Sequence, residues 1–283
     1  MKVLVNNELQ EREEVRVDIE DRGYQFGDGV YEVIRVYEGV PYTLDEHLAR
    51  FYRSSQEIGI TPNMNIEELK LKLLSLIEEN ELQDGGIYVQ LSRGVAPRKH
   101  QYDVHIKPQL IAYPVPSKRP VKEQNEGVEA ITADDLRWLR CDIKSLNLLY
   151  NIMIKQKAQE AGAFEGILVR DGNVTEGTSS NIFIIKDGTI YTHPAGNLIL
   201  NGITRTKLLE LFTSKGWAFK ELAFSKETLL QADEVFMSST TAEVVSITSI
   251  DGNPVGNGAP GTFTSDIREA FQESIESSIV PAF

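Results

Sequence analysis

The chain has 283 residues, 41% of them apolar and 25% charged, an average soluble-protein balance that disfavours disorder, collagen-like repetition and coiled-coil composition. Its formal charge of −13 argues against nucleic acid and anionic membranes as partners, because such binders gather Lys and Arg on one face. Cys141 is the one cysteine, so no internal disulfide can form and a cytoplasmic home is the simplest expectation.

The first residues turn polar too early for a signal peptide, and no apolar run is long enough to span a membrane. Strands are expected over residues 2–9 and 30–37. A helix follows over 44–58, with Leu44, Leu48, Phe51, Ser55 and Ile58 on one face at 3.6-residue spacing. A second helix covers 66–79, and 86–93 and 109–113 read as strands. The stretch Tyr113-Pro114-Val115-Pro116-Ser117-Lys118-Arg119-Pro120 is too proline-rich for a helix or a central strand. It marks a domain boundary near residue 117, dividing an N-terminal α/β lobe (1–117) from a C-terminal lobe (118–283).

Beyond the boundary come a strand at 128–132, a helix at 145–161 stopped by Gly162, and a hairpin turning at Asp171-Gly172. A strand at 181–186 turns at Asp187-Gly188 into 189–192. Residues 204–215 form a helix that Gly216 ends, and 234–237 and 244–247 add strand. Strands and helices mix without regular βαβ alternation, which predicts α+β lobes rather than a doubly wound sheet. There is no internal repeat and no low-complexity segment.

Several familiar motifs fail. Gly27-Asp28-Gly29-Val30-Tyr31-Glu32 begins like a dinucleotide fingerprint, but the third glycine is missing and a strand follows. His47, His100, His105 and His193 lack metal-type spacing, and a single cysteine offers no thiolate cluster. Gly177-Thr178-Ser179-Ser180-Asn181 lacks the second glycine of a nucleophile elbow.

What remains is a set of dispersed polar groups. Lys144 lies where an extended segment is expected to enter the helix at 145. There it could project into a cleft in which partial burial favours a neutral amine, nucleophilic towards an aldehyde. Local sequence alone favours a solvated surface lysine. Glu176, among small hydroxyl residues and Gly177, could hold a pyridine nitrogen protonated, or simply be a solvated strand glutamate. Asn201-Gly202-Ile203-Thr204-Arg205 opens a helix after a glycine and offers free N–H groups to an anion. The hydroxyls of Ser238-Ser239-Thr240-Thr241 could add donors, although Ser and Thr cap most turns anyway. Arg50 lies off the apolar stripe of its helix and is expected to face solvent.

Together and in this order, these pieces closely resemble the D-amino-acid aminotransferases among the fold-type-IV pyridoxal 5'-phosphate (PLP) enzymes. The likeness covers nearly the whole length and is densest at residues 21–31, 97–101, 137–149, 175–181, 202–205 and 239–243. It implies a two-domain α+β fold with the cofactor in the cleft between lobes. Lys144 would be the Schiff-base lysine and proton carrier, Glu176 would face the pyridine nitrogen, and Arg50 would bind the phosphate with Ile203, Thr204, Thr240 and Thr241. Arg98-Lys99-His100 has the Arg-x-His form of the carboxylate trap in the D-specific branch, with Tyr31 as third member. A basic surface loop is the plain alternative. The resemblance further implies a homodimer in which the neighbouring subunit supplies the Arg98/His100 loop, and ping-pong transamination between D-amino acids and 2-oxo acids. D-Alanine, D-glutamate and D-aspartate, with pyruvate or 2-oxoglutarate, are the expected substrates. A branched-chain L-aminotransferase, an aminodeoxychorismate lyase and a non-catalytic PLP carrier are the competing readings, the first two disfavoured by Arg98 to His100.

Overall fold

At Asn6 the backbone takes a positive φ of 52°, a conformation asparagine tolerates in tight turns, and the chain reverses. The expected single strand at 2–9 is therefore a hairpin of β1 (Lys2–Val5) and β2 (Glu8–Glu11). The computed structural model describes residues 1–279. The chain divides into two compact units, one of Met1–Lys118 with Ile143–Asn147, the other of Arg119–Asp142 with the chain from Leu148 onward.

After the hairpin, the first unit continues with α1 (Arg22–Phe26), β3 (Gly29–Tyr37), β4 (Val40–Pro41), α2 (Leu44–Glu57), α3 (Ile66–Glu79), β5 (Gly85–Ser92) and β6 (Gln109–Val115). Its antiparallel sheet runs β2-β1-β6-β5-β3-β4. Val30, Ile34 and Val36 of β3 and Ile87, Val89 and Leu91 of β5 alternate onto one face, where they join Leu48 and Phe51 of α2 and Leu69, Leu73 and Leu76 of α3 in a single core. The Asn65 capping box starts α3. Contrary to the reading of 113–120 as unfit for a central strand, β6 lies inside the sheet and continues through Pro114. Its pairing with β1 is confined to Ala112 and Ile111, so the proline falls beyond the last partner on that side.

The second unit comprises α4 (Val121–Glu126), β7 (Val128–Asp134), α5 (Leu149–Glu160), β8 (Glu165–Arg170), β9 (Asn173–Gly177), β10 (Asn181–Lys186), β11 (Thr189–Thr192), α6 (Ile203–Lys215), β12 (Phe219–Glu221), α7 (Lys226–Leu230), β13 (Glu234–Ser239), β14 (Glu243–Ile250), β15 (Asn253–Pro254) and α8 (Thr262–Ile279). The strands run β12-β11-β10-β13-β14-β7-β8-β9, with β15 beside β14. Three pairs, β11–β12, β14–β7 and β7–β8, are parallel. Asp171-Gly172 and Asp187-Gly188 turn with positive φ at both residues, the backbone that two-residue hairpins require. Phe183 of β10 stacks on Phe236 of β13 at 4.6 Å and meets Phe212 of α6 edge-on. Ile267, Phe271 and Ile275 of α8, four residues apart, are buried.

The helix expected at 145 begins instead at Leu149, because the residues before it are already paired elsewhere. Tyr31 N–H donates to Lys144 O at 3.0 Å, Leu146 N–H to Gly29 O at 2.9 Å, and Ser145 bridges Val30. Lys144 therefore stands in an extended segment laid along the start of β3, not at a strand-to-helix junction. Among the described residues no helix is long and apolar enough to cross a membrane.

Candidate active site

Three groupings carry the chemistry-bearing side chains. In the first unit, Ile143 is sunk in the core, so alternation along the extended segment turns Lys144 away from that core. The half-buried Lys144 amine lies 3.3 Å from the Tyr31 hydroxyl and 4.3 Å from the centre of its ring. Ser54 of α2 fixes the segment by accepting from Lys144 N–H at 3.3 Å. Tyr31 in turn stacks on Tyr88, whose hydroxyl donates to Gln90.

Glu32 shares the apolar face of β3 with Val30 and Ile34, fully buried. Arg50 meets it through Nε at 2.7 Å and Nη2 at 2.9 Å, and His47 through Nδ1 at 2.7 Å. Burial opposes ionisation of Glu32, but Arg50 and His47 outweigh it and bring the carboxyl down to about 2. Burial lowers His47 against the upward pull of Glu32. Arg50 is thus not the solvent-facing residue that periodicity suggested. Its side chain is 9% exposed, because a carboxylate placed inside the apolar face draws it inward.

The second grouping surrounds Glu176 on β9, 6% exposed rather than solvated. Its Oε1 accepts from Arg137, and its Oε2 from Leu200 N–H at 3.0 Å and Asn181 Nδ2 at 3.4 Å. Burial raises its carboxyl to about 7 against the downward pull of Arg137. Arg137 also grips Asp135 through Nε at 2.8 Å and Nη2 at 2.9 Å, with Thr175 donating to the same carboxylate. A buried carboxylate held between protonation states, with one edge fixed by a cation, can keep a positive nitrogen opposite it protonated.

In the same unit Gly202 starts α6 without any side-chain cap, so the first-turn N–H groups beside Ile203 and Thr204 are open to an anion. A Cβ on Gly202 would lie 2.2 Å from Asn181 Oδ1. Ser238 sits on β13, buried, its hydroxyl without a protein partner. Thr240 and Thr241 form the tip between β13 and β14, where Ser239 Oγ accepts from Ala242 N–H. Glu243, at φ 61°, closes the turn through Arg119 and Gln124.

The third grouping is a loop of the first unit. Arg98 and His100 are exposed there, flanking Phe26: the Arg98 guanidinium is 4.5 Å from its ring centre and the His100 ring 6.0 Å away, edge-on.

Each unit thus brings some predicted residues together. Lys144 and Tyr31 touch, Arg50 is anchored on their strand, and Asn181 meets both Glu176 and Gly202, the residue that precedes Ile203 and Thr204. Sequence reasoning missed Glu32, Ser54, Arg137 and Asn181. Glu32 was detectable as a charge in phase with Val30, Ile34 and Val36. Arg137 and Asp135 alternate with Leu136 and Trp138, and here Asp135 is buried with the Arg137 side chain turned in beside it while the apolar pair is exposed, an inversion of the usual pattern.

A model of the family Amino-transferase class IV matches residues 29–250. The chain belongs to the class IV aminotransferases. Every candidate residue named above as a sequence-level site lies inside that match. Over 98% of both chains, this class IV aminotransferase is 61% identical to a D-alanine aminotransferase of Bacillus licheniformis and 49% identical to one of Staphylococcus epidermidis. Among solved structures, an Escherichia coli branched-chain amino acid aminotransferase superposes with a TM-score of 0.92 at 26% identity, over 100% of this chain and 97% of that one. The α+β architecture expected from the sequence is the one this family has.

Proposed function

We propose that the chain transfers amino groups between D-amino acids and 2-oxo acids with PLP as its cofactor. The observation that carries this reading is the full-length 61% identity to a D-alanine aminotransferase, set against 26% to the branched-chain enzyme of the same fold. The residues present fit the cofactor. The uncapped start of α6 and the unpartnered Ser238 hydroxyl suit a phosphate, the absent side chain of Gly202 lets that turn pack against Asn181, and Glu176 suits a protonated ring nitrogen.

PLP, when bound, supplies a carbonyl that takes the amino group and an electron sink that stabilises negative charge at the α-carbon. The protein's own groups do the rest. Lys144 would hold the cofactor covalently, and its amine would carry the α-proton. Tyr31 keeps the Lys144 amine oriented. Glu176 retains a proton on the ring nitrogen, braced by Arg137. Arg50, Ile203, Thr204, Thr240 and Thr241 hold the phosphate. Arg98, His100 and Tyr31 take the substrate carboxylate, Arg98 being suited to a two-pronged contact. The donor leaves as its 2-oxo acid before the acceptor enters.

A homodimer sharing the Arg98/His100 loop is part of the same proposal. Leu149, Ile152 and Met153 are exposed on one face of α5 and Ile19 and Val104 elsewhere, apolar area that a second copy would cover. A cytoplasmic location agrees with the single, reduced Cys141.

The deciding experiment compares D- and L-alanine as donors to 2-oxoglutarate, with a single-turnover assay on D-alanine. Pyruvate formed from the D-isomer alone is the expected result. Preference for L-alanine would favour the branched-chain reading, and no turnover with bound cofactor would leave a carrier.

A further inference from the structure

We infer that Arg22, acting through Asp28 and Phe26, is the positioning residue for the Arg98–His100 loop and so sets the affinity for the substrate carboxylate. This rests on the reading of Arg98 and His100 as carboxylate-binding groups.

Arg22 opens α1 and is buried although charged. A buried guanidinium is stable only when its donors are met, and those of Arg22 are met in a particular way. Its Nε donates to Asp28 Oδ2 at 2.8 Å, while Nη1 and Nη2 reach the main-chain carbonyls of Lys99 at 2.6 Å and His100 at 3.3 Å. Arg93 donates to the same Asp28 oxygen at 2.8 Å and spends its other nitrogens on Gly59 and Ile58 carbonyls. One carboxylate oxygen therefore holds two guanidiniums, one anchored in the body of the unit and the other at the loop's tip.

The neck of the loop is fixed separately. Arg22 N–H donates to Gly94 O, Asp21 bridges Val95, and Gly94 has φ 111° with no room for a Cβ against Lys107 O. Phe26 then joins the two ends. The Arg22 guanidinium lies 4.8 Å from its ring centre, and Arg98 and His100 pack on the same ring. Backbone and ring are held, and the Arg98 guanidinium has no acidic partner among the described residues. Such an arrangement presents a cation for a ligand rather than for a salt bridge.

Lysine at position 22 would keep the charge but lose the planar fork that spans Asp28 and two carbonyls. The test measures kcat and KM for D-alanine with holoenzyme of wild type, Arg22→Lys, Arg98→Ala and the double variant. Arg22→Lys is expected to raise KM about tenfold, as loss of a well-oriented charged contact does, with kcat and cofactor absorbance retained. The double variant should be no worse than Arg98→Ala alone, since one effect acts through the other. Phe26→Leu, which keeps bulk and removes the aromatic face, should behave like Arg22→Lys and serves if that variant fails to fold. An unchanged KM with only a lowered melting temperature would overturn the inference, as would effects that multiply fully in the double variant. If Arg98→Ala itself leaves KM unaltered, the carboxylate reading fails and takes this inference with it. If Arg98→Ala is impaired and both Arg22→Lys and Phe26→Leu are silent, only this inference fails.

Discussion

The amine of Lys144 lies 3.3 Å from the hydroxyl of Tyr31 and 4.3 Å from the centre of its ring. The two residues are joined through the main chain as well, Tyr31 N–H donating to Lys144 O, so the strand that carries the phenol also sets the height of the lysine. Removing the amine by Lys144→Ala should abolish the yellow absorbance of the holoenzyme and nearly all turnover. Tyr31→Phe keeps the ring contact and loses one hydrogen bond. Colour should persist while kcat falls about tenfold, the kinetic equivalent of roughly 1.4 kcal/mol. An unchanged spectrum in Lys144→Ala would move the covalent attachment to another lysine.

Glu176 is assigned to keeping a ring nitrogen protonated, and Arg137 to keeping Glu176 in place. Glu176→Gln preserves the shape and cannot accept that proton. Single-turnover proton abstraction from D-alanine should slow by about a hundredfold, the scale of a lost charge contact in a dry site, with KM little altered. Wild-type rates would end the assignment. Arg137→Met should cost stability instead, on the order of 3 kcal/mol in urea unfolding, because it takes the cation from the buried Glu176 and leaves Asp135 with Arg170 alone.

The Glu32–Arg50 pair predicts a pH dependence. The Glu32 carboxyl falls from an ordinary 4.5 to about 2 in the folded protein, so its contribution is complete above about 4.5 and is lost as pH drops through 2. Linkage puts that contribution on the order of 3 kcal/mol. Unfolding free energies of wild type and Glu32→Gln should differ most at neutral pH and converge as pH falls from 4.5 towards 2. A difference that stays constant over that window would show that Glu32 is not the titrating group.

Much of this was legible because local rules and tertiary packing agree. The α3 span, the two Asp-Gly hairpins and the stop of α6 at Gly216 follow from periodicity and turn chemistry, and the α2 stripe was right but for Ser54 and His47. The failures occur where a distant partner decides. The helix expected from 145 starts late because β3 claims the backbone of residues 144–146. Asn6 turns the chain inside a stretch that reads as one strand, and its positive φ is what divides it. The apolar spacing of Ile267, Phe271 and Ile275 is diluted by serines, so α8 went unread. Arg50 looked solvated because its partner, Glu32, lies on another element, and periodicity within one helix carries no information about that.

At the start of α8, Glu234 from β13 does the capping that no local residue supplies, accepting from Phe263 N–H at 3.1 Å and from Thr264 N–H and hydroxyl at 2.7 Å each. Glu234→Ala should lower unfolding free energy by about 1–2 kcal/mol, the range for a lost helix cap. Activity at 25 °C should be unaffected. A loss under a few tenths would mean that solvent caps the helix equally well.

The phosphate assignment is tested most directly at Gly202. Its φ of −64° suits any residue, so an alanine there meets no backbone strain and the test isolates space alone. The added Cβ would lie 2.2 Å from Asn181 Oδ1. Asn181 cannot swing aside freely, because its Nδ2 donates to Leu200 O at 2.9 Å and to Glu176. Relief must therefore come from the Asn201–Ile203 backbone, which carries the open N–H groups of α6. Gly202→Ala is expected to weaken PLP retention about tenfold or more, consistent with loss of one charged hydrogen bond, while Lys144 still reacts with excess cofactor. The readout is absorbance during dialysis against buffer without PLP, beside the same measurement on Arg50→Ala. Retention equal to wild type in Gly202→Ala would place the phosphate away from the α6 terminus, whatever Arg50→Ala does.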